Sequence, residues 1–383
     1  MLQVLLVHAA QIVVAAKNDI DRSGLEAFFS YSSCDPGNNW FTVQQAVVDV
    51  FFKKMYISGH DVGAVVIRQG EIYHEANSLL SSDAMKPFFL LLFFAVSSRV
   101  TAQEDYTWWN EIHQWDGVTS WNNYLTVAPA YFGPNALPVP ELRKGLPDSL
   151  FTVEAAGGGH WSRGDKTYDT QLRMSVPFCS GKVAVEAYVV PLEFYAMDTV
   201  TRDIRAARDR DGKGYAGGDI YFSTIVELVR NKKGWPDLAF EAGLRTASGT
   251  RLGAARFTDA PGYYFDLSAG KDISTGKAIT VRPSGLLGFY SFQTFDVQQL
   301  QNDCVLYGLG VDLRNSDYCL SAQICGYSGY KKNGDQPLVG RFTMQSIRSS
   351  LGWKVSAQLG WHDFDYRSLH AGIVWRLMKK VGK

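Results

Sequence analysis

The segment that decides the fold lies near the C-terminus, at residues 353–361, and reads Trp353-Lys354-Val355-Ser356-Ala357-Gln358-Leu359-Gly360-Trp361. Its apolar residues alternate with polar or small ones, which is the period of a β-strand whose two faces meet different surroundings. Trp353 and Trp361 stand at the two ends of the apolar face, as in strands whose outer face crosses a lipid bilayer. The segment therefore predicts one membrane-spanning strand of a barrel.

The same alternation recurs from residue 149 onward in about twelve segments of about ten residues, the length of a tilted strand in a bilayer. A soluble β-sandwich alternates too, so the connections between the segments must decide. We predict mostly longer connections at 158–166, 196–216, 248–261, 292–302, 328–336 and 362–367, and short ones at 178–181, 231–236, 272–277, 313–316 and 347–351. Short turns opposite longer loops are typical of outer-membrane barrels. The predicted fold class is all-β: a transmembrane antiparallel β-barrel of about 12 strands over 149–378, preceded by an N-terminal Trp-rich arm.

Composition and charge exclude two other classes of protein. The chain has 38 basic and 38 acidic residues among 383, so no charge excess points to a nucleic-acid partner. Hydrophobic residues make up 46% and the mean hydropathy is −0.12. No apolar run reaches the roughly 18 residues that a spanning helix needs, which argues against a helical membrane protein.

An export signal begins inside the chain, at Met85. A basic start, an apolar core over 88–96 and small residues before a cut after Ala102 predict a signal peptide over 85–102. The alternative is a buried strand or core helix of a soluble domain. Because a signal works from the N-terminus, residues 1–84 are interpreted as the product of an upstream start codon, outside the mature protein, with an unrelated small domain as the alternative. Residues 103–148 then form the Trp- and Pro-rich arm.

The phase of each strand predicts which charged residues face the lumen. A basic side chain facing lipid at mid-membrane costs about 2–4 kcal/mol, and an acidic one somewhat less. The lumen-facing candidates are Arg173, Glu186, Glu227, Glu241, Arg245, Arg341, Lys354 and Arg376. Two interpretations stay open: the charges pair and fill the lumen, or they line a solute path, since twelve strands lie between filled eight-strand and open sixteen-strand barrels.

Three stretches of the barrel carry a resemblance to known families: residues 217–224, residues 236–249 and the terminal strand. In them the chain resembles Gram-negative outer-membrane barrels of the porin-like transporter group, which includes the phenol-degradation MetA-pathway family and, more distantly, FadL-type channels. The resemblance implies a location in the Gram-negative outer membrane and uptake of small hydrophobic or aromatic solutes. Expected partners are outer-membrane lipid, the solute and the barrel-assembly machinery. The C-terminus departs from the pattern, because it ends at Lys383 rather than on an aromatic residue.

The arm holds four of the ten Trp: Trp108, Trp109, Trp115 and Trp121. Trp108, Ile112 and Trp115 fall at helical spacing, which predicts a short helix with one aromatic face. The proline-rich run at 132–140 excludes a helix or a central strand there. The arm is interpreted as a plug or ligand-contacting segment inside the barrel, or else as a periplasmic interfacial helix with a linker. Because several Trp exposed to water would form a costly apolar patch, we expect it in or against the barrel.

Candidate chemistry is sparse, and we predict no enzyme, no cofactor and no metal site. His160-Trp161-Ser162 resembles the His-x-Ser motif of outer-membrane lipid hydrolases, but strand parity points His160 and Ser162 into the lumen, away from lipid, unless 157–159 form a bulge. The seven His show no paired metal-ligand spacing. Residues 209–214 are read as a solvated loop rather than a calcium loop, since they lack its far acidic ligand.

A last expectation concerns sulfur. Cys304 and Cys325 have lumen parity on a hairpin that turns near Arg314 and Asn315, which predicts them nearly opposite each other. A cross-strand disulfide and free thiols are the two alternatives. The function predicted from the sequence is an outer-membrane channel or transporter for small, hydrophobic or aromatic solutes. The alternatives are a lipid hydrolase and a filled structural barrel without transport.

Overall fold

A computed structural model of the chain describes residues 105–274 and 279–377, and the alternating segments form strands there. The signal peptide, the segment before it and the C-terminal residues 378–383 lie outside the described residues. The strands are β1 (Phe151–Ser162), β2 (Asp165–Phe178), β3 (Val183–Met197), β4 (Lys213–Ala216), β5 (Ile220–Val229), β6 (Asp237–Arg245), β7 (Gly262–Gly270), β8 (Ile273–Ser274), β9 (Thr280–Gln293), β10 (Gln301–Arg314), β11 (Tyr318–Gly329), β12 (Leu338–Ser346), β13 (Leu351–His362) and β14 (Arg367–Leu377).

The twelve long strands form one closed ring, with the short β4 and β8 as additions to β3 and β9. Each long strand pairs antiparallel with its neighbours, and β14 pairs with β1 from Phe151–Leu377 to Trp161–Arg367. Closure satisfies the backbone groups that an open sheet edge would leave unpaired. The predicted antiparallel barrel of about 12 strands is confirmed.

The two faces of the barrel wall differ as the alternation predicts. Large apolar side chains point outward along most strands, among them Leu287 and Leu309, which are 65% and 72% exposed. Inward positions carry most of the buried polar residues. Two short helices, α1 (Thr107–Ile112) and α2 (Thr199–Ile204), complete the regular structure. In the part of the chain that the structure describes, no helix has the length and apolarity needed to cross a membrane.

The connections between strands lie at the two ends of the barrel, and those at one end are mostly longer than those at the other. One, the long-loop end, has connections at 163–164, 198–219, 246–261, 294–300, 330–337 and 363–366; the other, the short-turn end, has them at 179–182, 230–236, 271–279, 315–317 and 347–350. The longer connection predicted at 158–166 is wrong. Residues 157–159 stay in regular pairing with both neighbouring strands, and the turn needs only Arg163 and Gly164, whose φ is +83°. A left-handed φ favours glycine at that position.

The N-terminal arm runs along the lumen from the long-loop end to the short-turn end. At the first, the Trp109 indole N–H donates to the Ala206 carbonyl at 2.9 Å. At the second, the chain leaves the lumen at Gly145, where φ is +78° and a Cβ would lie 2.4 Å from the Asp237 carbonyl oxygen. Between them the arm has two 3₁₀ turns, Trp121–Tyr124 and Pro129–Tyr131, and then extended backbone.

The predicted aromatic face of the arm helix is wrong in part. Helix α1 ends at Ile112, so the helical spacing does not reach Trp115. Ile112 is 48% exposed, whereas Trp109 is fully buried. The helix docks through Trp109, and Trp108 instead stacks beneath the Arg202 guanidinium, 4.2 Å from its ring centroid.

The predicted opposition of Cys304 and Cys325 is wrong as well. The β10–β11 hairpin turns at 315–317, later than expected, which shifts the register by four residues: Cys304 lies opposite Gly329, and Cys325 opposite Gly308. Both thiols are buried in the lumen and unbonded, as is Cys319. The parity of the two cysteines was right and their register was not.

Candidate functional site in the barrel lumen

One side of the lumen, here called the apolar wall, consists of inward apolar residues of β9, β10 and β11: Leu286, Tyr290, Phe292, Cys304, Leu306, Cys325 and Tyr327. These residues form one buried cluster with the arm, including Phe132, Leu137 and Leu142. Tyr327 is fully buried and its hydroxyl donates to the Leu137 carbonyl at 3.1 Å. The apolar wall therefore fixes the arm by burial and by a backbone contact.

The other side, here called the polar wall, consists of inward residues of β1–β3 and β12–β14: Glu154, His160, Asp169, Gln171, Arg173, Glu186, Arg341, Lys354, Gln358 and His370. Most of its charges are paired. Lys354 Nζ lies 2.8 Å from Glu154 Oε1, and Arg173 Nη1 lies 3.0 Å from Glu186 Oε1. The wall is thus polar and mixed in sign.

Charged side chains of the barrel hold the arm across the lumen. The Arg143 guanidinium donates to Glu241 at 2.6 Å and 2.8 Å and to Glu186 at 2.8 Å and 3.0 Å. Arg245 donates to the Ala136 carbonyl at 2.6 Å, and Arg341 donates to the Pro140 carbonyl at 3.1 Å. Arginines of the wall therefore satisfy carbonyls of an extended segment that has no strand partner.

A cavity of about 170 Å³ lies between the arm and the polar wall. Tyr188 and Tyr221 border it on the barrel side, and prolines of the arm border it on the other. Dry engineered cavities of about 150 Å³ accept benzene, so this cavity has room for a compound of one ring. Its lining mixes apolar and polar surface, so the matching ligand combines an apolar part with hydrogen-bonding groups.

The eight residues predicted to face the lumen lie at inward strand positions, but they do not form one site. Lys354 pairs with Glu154 of the polar wall, and five residues contact the arm in the middle of the lumen: Arg173, Glu186, Glu241, Arg245 and Arg341. Glu227 and Arg376 lie apart, toward the short-turn end, where Glu227 pairs with Arg230 at 3.2 Å. Their role in solute passage stays a prediction.

A buried ionic network at the long-loop end was not predicted. Arg256, fully buried, reaches Asp165 at 2.6 Å and Glu193 at 2.8 Å, and Arg205 reaches the same Asp165 carboxylate at 2.7 Å. Tyr366 donates to Asp165 at 2.5 Å, and burial raises the pKa of Tyr366 to about 12. The network ties three long-loop connections to β2 and β3 above the arm.

Register explains how Glu193 enters this network. The pairing of β2 with β3 shifts between Thr170 and Leu172, leaving an extra residue on β3 beside Pro191, which has no N–H to donate. Before the bulge Val190 points inward, and after it Glu193 does. No local sequence signal pairs Glu193 with Arg256, which comes 63 residues later.

Asp219 occupies a second buried position at this end. Its Oδ1 accepts from the backbone N–H groups of Ser248 and Gly249, and its Oδ2 lies 3.9 Å from Arg245 Nη1. Burial raises the pKa of the Asp219 carboxyl to about 6. The Asp219 carboxyl can therefore gain or lose its proton in mildly acidic solution.

The His-x-Ser motif does not form a hydrolase pair. β1 has no register shift at 157–159, so His160 points into the lumen as parity predicted. His160 Nδ1 lies 2.7 Å from Ser368 Oγ and its Nε2 lies 3.1 Å from Asp169 Oδ2, whereas Ser162 Oγ donates to the Asp165 carbonyl at 3.4 Å. Both ring nitrogens are thus engaged with residues other than Ser162.

The structure also brings together residues that are potential metal ligands. The ligand atoms of His160, Asp169 and His370 all lie within 4.8 Å of one another, and all three residues are buried. His160 and His370 come from β1 and β14, which are neighbours only because the barrel closes. Sequence spacing could not reveal them.

Comparison with known proteins finds structural likeness only. No family model matches the chain, and no curated protein matches its sequence. An outer membrane channel from Pseudomonas putida is 12% identical, with a TM-score of 0.43 over 63% of this chain and 100% of that one. The KdgM porin is 8% identical, with a TM-score of 0.36 over 59% and 99%. The β-domain of a Bordetella autotransporter is 10% identical, with a TM-score of 0.36 over 60% and 100%.

Proposed function

We propose that this chain is a channel of the Gram-negative outer membrane for small polar or aromatic solutes, closed at rest by its own N-terminal arm. The supporting observation is the contrast between the two faces of a closed barrel. Its outer face exposes a belt of large apolar side chains, and one side of its lumen, the polar wall, carries paired charges. A belt of this kind is costly in water and favourable in lipid.

The cavity beside the polar wall supports passage or binding of a solute rather than mere filling. It is lined on one side by the arm and on the other by Tyr188, Tyr221, Gln358 and paired charges. Aromatic rings and hydrogen-bonding groups together suit a compound with a ring and polar substituents. The arm contacts this side through the Glu141–Arg173 ion pair, whose carboxylate is partly exposed and can exchange its partner for water, so the arm can yield here while staying attached to the apolar wall.

The proposal assigns a direction to the barrel. The longer connections face the cell exterior and the short turns face the periplasm, as in outer-membrane barrels. The arm then descends from the outer mouth, and export depends on the predicted signal peptide at 85–102. Outer-membrane lipid surrounds the apolar belt, and the barrel-assembly machinery inserts the chain.

Conductance of the whole protein tests the proposal. The full mature protein, purified from membranes, is reconstituted in planar bilayers and liposomes as wild type and as Arg143→Met, which removes the contacts to Glu186 and Glu241. Arg230→Met, which removes an ion pair at the short-turn end, is the matched control. We expect rare openings in the wild type and the control, and at least tenfold more frequent openings and faster solute uptake in Arg143→Met.

The filled structural barrel is the second candidate, and one observation favours it. Trp109, Phe132 and Leu137 are almost fully buried, so the upper arm is packed like a protein core. If neither the wild type nor Arg143→Met conducts, takes up or binds a solute, the channel proposal fails and the filled barrel replaces it.

A further inference from the structure

Three side chains from three adjacent strands converge near the long-loop end of the polar wall. Asp169 of β2 stands between His160 of β1 and His370 of β14: its Oδ2 lies 3.1 Å from His160 Nε2 and its Oδ1 lies 2.8 Å from His370 Nε2. The two imidazole centroids are 4.8 Å apart. Two imidazoles and one carboxylate are a donor set that first-row transition metals bind.

Protons alone do not satisfy this cluster well. Gln171 Nε2 lies 3.0 Å from His370 Nε2 and 3.1 Å from Asp169 Oδ2. If His370 Nε2 is protonated and donates to Asp169, the Gln171 amide N–H faces a second donor. If His370 Nε2 is not protonated, its lone pair faces the negatively charged Asp169 carboxylate at 2.8 Å. Turning the amide over instead sets its oxygen against Asp169 Oδ2. Each arrangement leaves one repulsive contact inside a buried site.

A cation removes that conflict, because His160, His370 and Asp169 can then all donate electron pairs to the same centre. We propose that this cluster binds one divalent transition-metal ion through His160 Nε2, His370 Nε2 and Asp169. In a tetrahedral zinc site, bonds of about 2.0–2.1 Å put neighbouring N and O ligands about 3.3 Å apart. The two His–Asp169 separations, 3.1 Å and 2.8 Å, are within a few tenths of an ångström of that value, and all three ligand atoms lie within 4.8 Å of one another, so binding a metal draws the set closer together.

Neighbouring groups orient the ligands as outer-shell groups do in metal sites. Ser368 Oγ, 2.7 Å from His160 Nδ1, can accept a hydrogen bond from the Nδ1–H and so leave Nε2 unprotonated for the metal. The Asn135 side chain, from the arm, donates to Asp169 Oδ2 at 2.9 Å and to Glu193 at 2.8 Å. The metal would thus tie together the strands at which the barrel closes, with the arm contacting one of its ligands.

The site has an open side. His160 and His370 both line the cavity between the arm and the polar wall, so a fourth ligand reaches the metal from there. That ligand is water or an oxygen or nitrogen donor of a small solute. Carboxylate and imidazole ligands suit Zn²⁺, Ni²⁺, Cu²⁺ or Fe²⁺ more than Ca²⁺ or Mg²⁺. The inference rests on side-chain geometry and would hold for a filled barrel as well as for a channel.

Metal binding is measured on the full mature protein in detergent, stripped with a chelator and titrated with Zn²⁺ and with Co²⁺. We expect one equivalent of either ion and visible absorption from the bound Co²⁺. His160→Gln, His370→Gln and Asp169→Asn should each weaken binding at least tenfold, since even outer-shell changes cost that much. The control His362→Gln, at an exposed histidine beside the Gln336 carbonyl, should bind like the wild type.

A gain-of-ligand variant guards against loss of folding in the first set. Gln171→Glu adds a carboxylate beside Asp169, and it should bind Zn²⁺ several-fold more tightly and gain more thermal stability from it than the wild type. Gln358→Glu, at another inward position of the polar wall, should show no such gain. Absence of a one-to-one Co²⁺ spectrum in folded wild type, or equal losses in His160→Gln and His362→Gln, would overturn the proposal.

Discussion

The apolar wall and the polar wall meet the same arm in different ways. Toward β9–β11 the arm buries Phe132, Leu137 and Leu142, and Tyr327 binds its backbone. Toward β1–β3 and β12–β14 it makes ion pairs and leaves about 170 Å³ of space. Burial of apolar surface is non-directional and hard to exchange, whereas the Arg173–Glu141 ion pair, whose carboxylate is 41% exposed, exchanges readily for water.

This difference assigns separate tasks to the two halves of the lumen. The apolar wall anchors the arm, and the polar wall decides what passes or binds beside it. A path on the polar side needs no expulsion of the arm, only local yielding where Glu141 of the arm pairs with Arg173 of the wall. The predictions below alter one wall at a time.

The largest effect is expected on the apolar wall. Tyr327→Ala removes a fully buried ring and its hydrogen bond to Leu137, and such truncations cost about 3–5 kcal/mol of the free energy of unfolding. The arm should also become sensitive to trypsin at Arg143 and Lys144. Urea titration and timed digestion measure the two effects.

Tyr307→Ala is the matched control for that variant, because Tyr307 lies on the outward face of β10. It should leave the arm protected. Equal protection of the arm in Tyr327→Ala and wild type would mean that the apolar wall is not the anchor, and the comparison between the walls would fall.

The next effect concerns the ion pairs at the lower arm. Arg143→Met leaves the buried Glu241 carboxylate without its cation and should lower the free energy of unfolding by about 3 kcal/mol. Adding Glu241→Met should recover most of the loss, because apolar replacement of a whole buried pair is often neutral. The urea midpoints of the single and double variants measure this recovery. If the losses of the two substitutions add, the two side chains do not stabilise the fold as a pair.

The strands and their faces follow from the sequence because the period of side chains in a strand is local. The segment 353–361 and its counterparts give the barrel, the strand number and the inward parity of His160 and of both cysteines. Register is less local. The prediction placed the β10–β11 turn two residues too early, and therefore set Cys304 opposite Cys325 wrongly. Residues 157–159, predicted as part of a connection, belong to strand β1.

The lumen's specific contacts lie beyond local patterns. Arg256 and Asp165 are 91 residues apart, and His160 and His370 meet only where the last strand pairs with the first. Arg256 is buried and therefore requires partners, but its burial within a long connection is visible only in the structure. The arm's docking through Trp109 likewise depends on loops that fold around it.

A pH-dependent effect is expected between the two walls, at Asp219 before β5 and Arg245 at the end of β6. The pKa of Asp219 is raised to about 6 by burial, so the folded state binds more protons than the unfolded state between about pH 4 and 6. The free energy of unfolding therefore falls by less than about 3 kcal/mol as the pH rises through that window. Above the window it is constant.

Asp219→Asn should abolish this pH dependence, because an amide does not titrate. Melting temperatures from pH 4 to pH 8 compare it with Asp317→Asn, at an exposed carboxyl of the short-turn end. If the melting temperature of Asp219→Asn changes across the window as that of the wild type does, another group is responsible.

The smallest effect on stability, and the most specific one, is expected on the polar wall. Lys354→Gln removes the partner of Glu154; both side chains are about one-fifth exposed, so the cost should stay below about 1 kcal/mol. Yet the uncompensated Glu154 carboxylate borders the cavity, where an unpaired negative charge attracts cations. In the Arg143→Met background, reversal potentials in a salt gradient should therefore shift toward cation selectivity.

Lys166→Gln, which loses a positive charge outside the lumen on β2, should cause no shift. A shift in both variants, or in neither, would place the conducting path away from the polar wall.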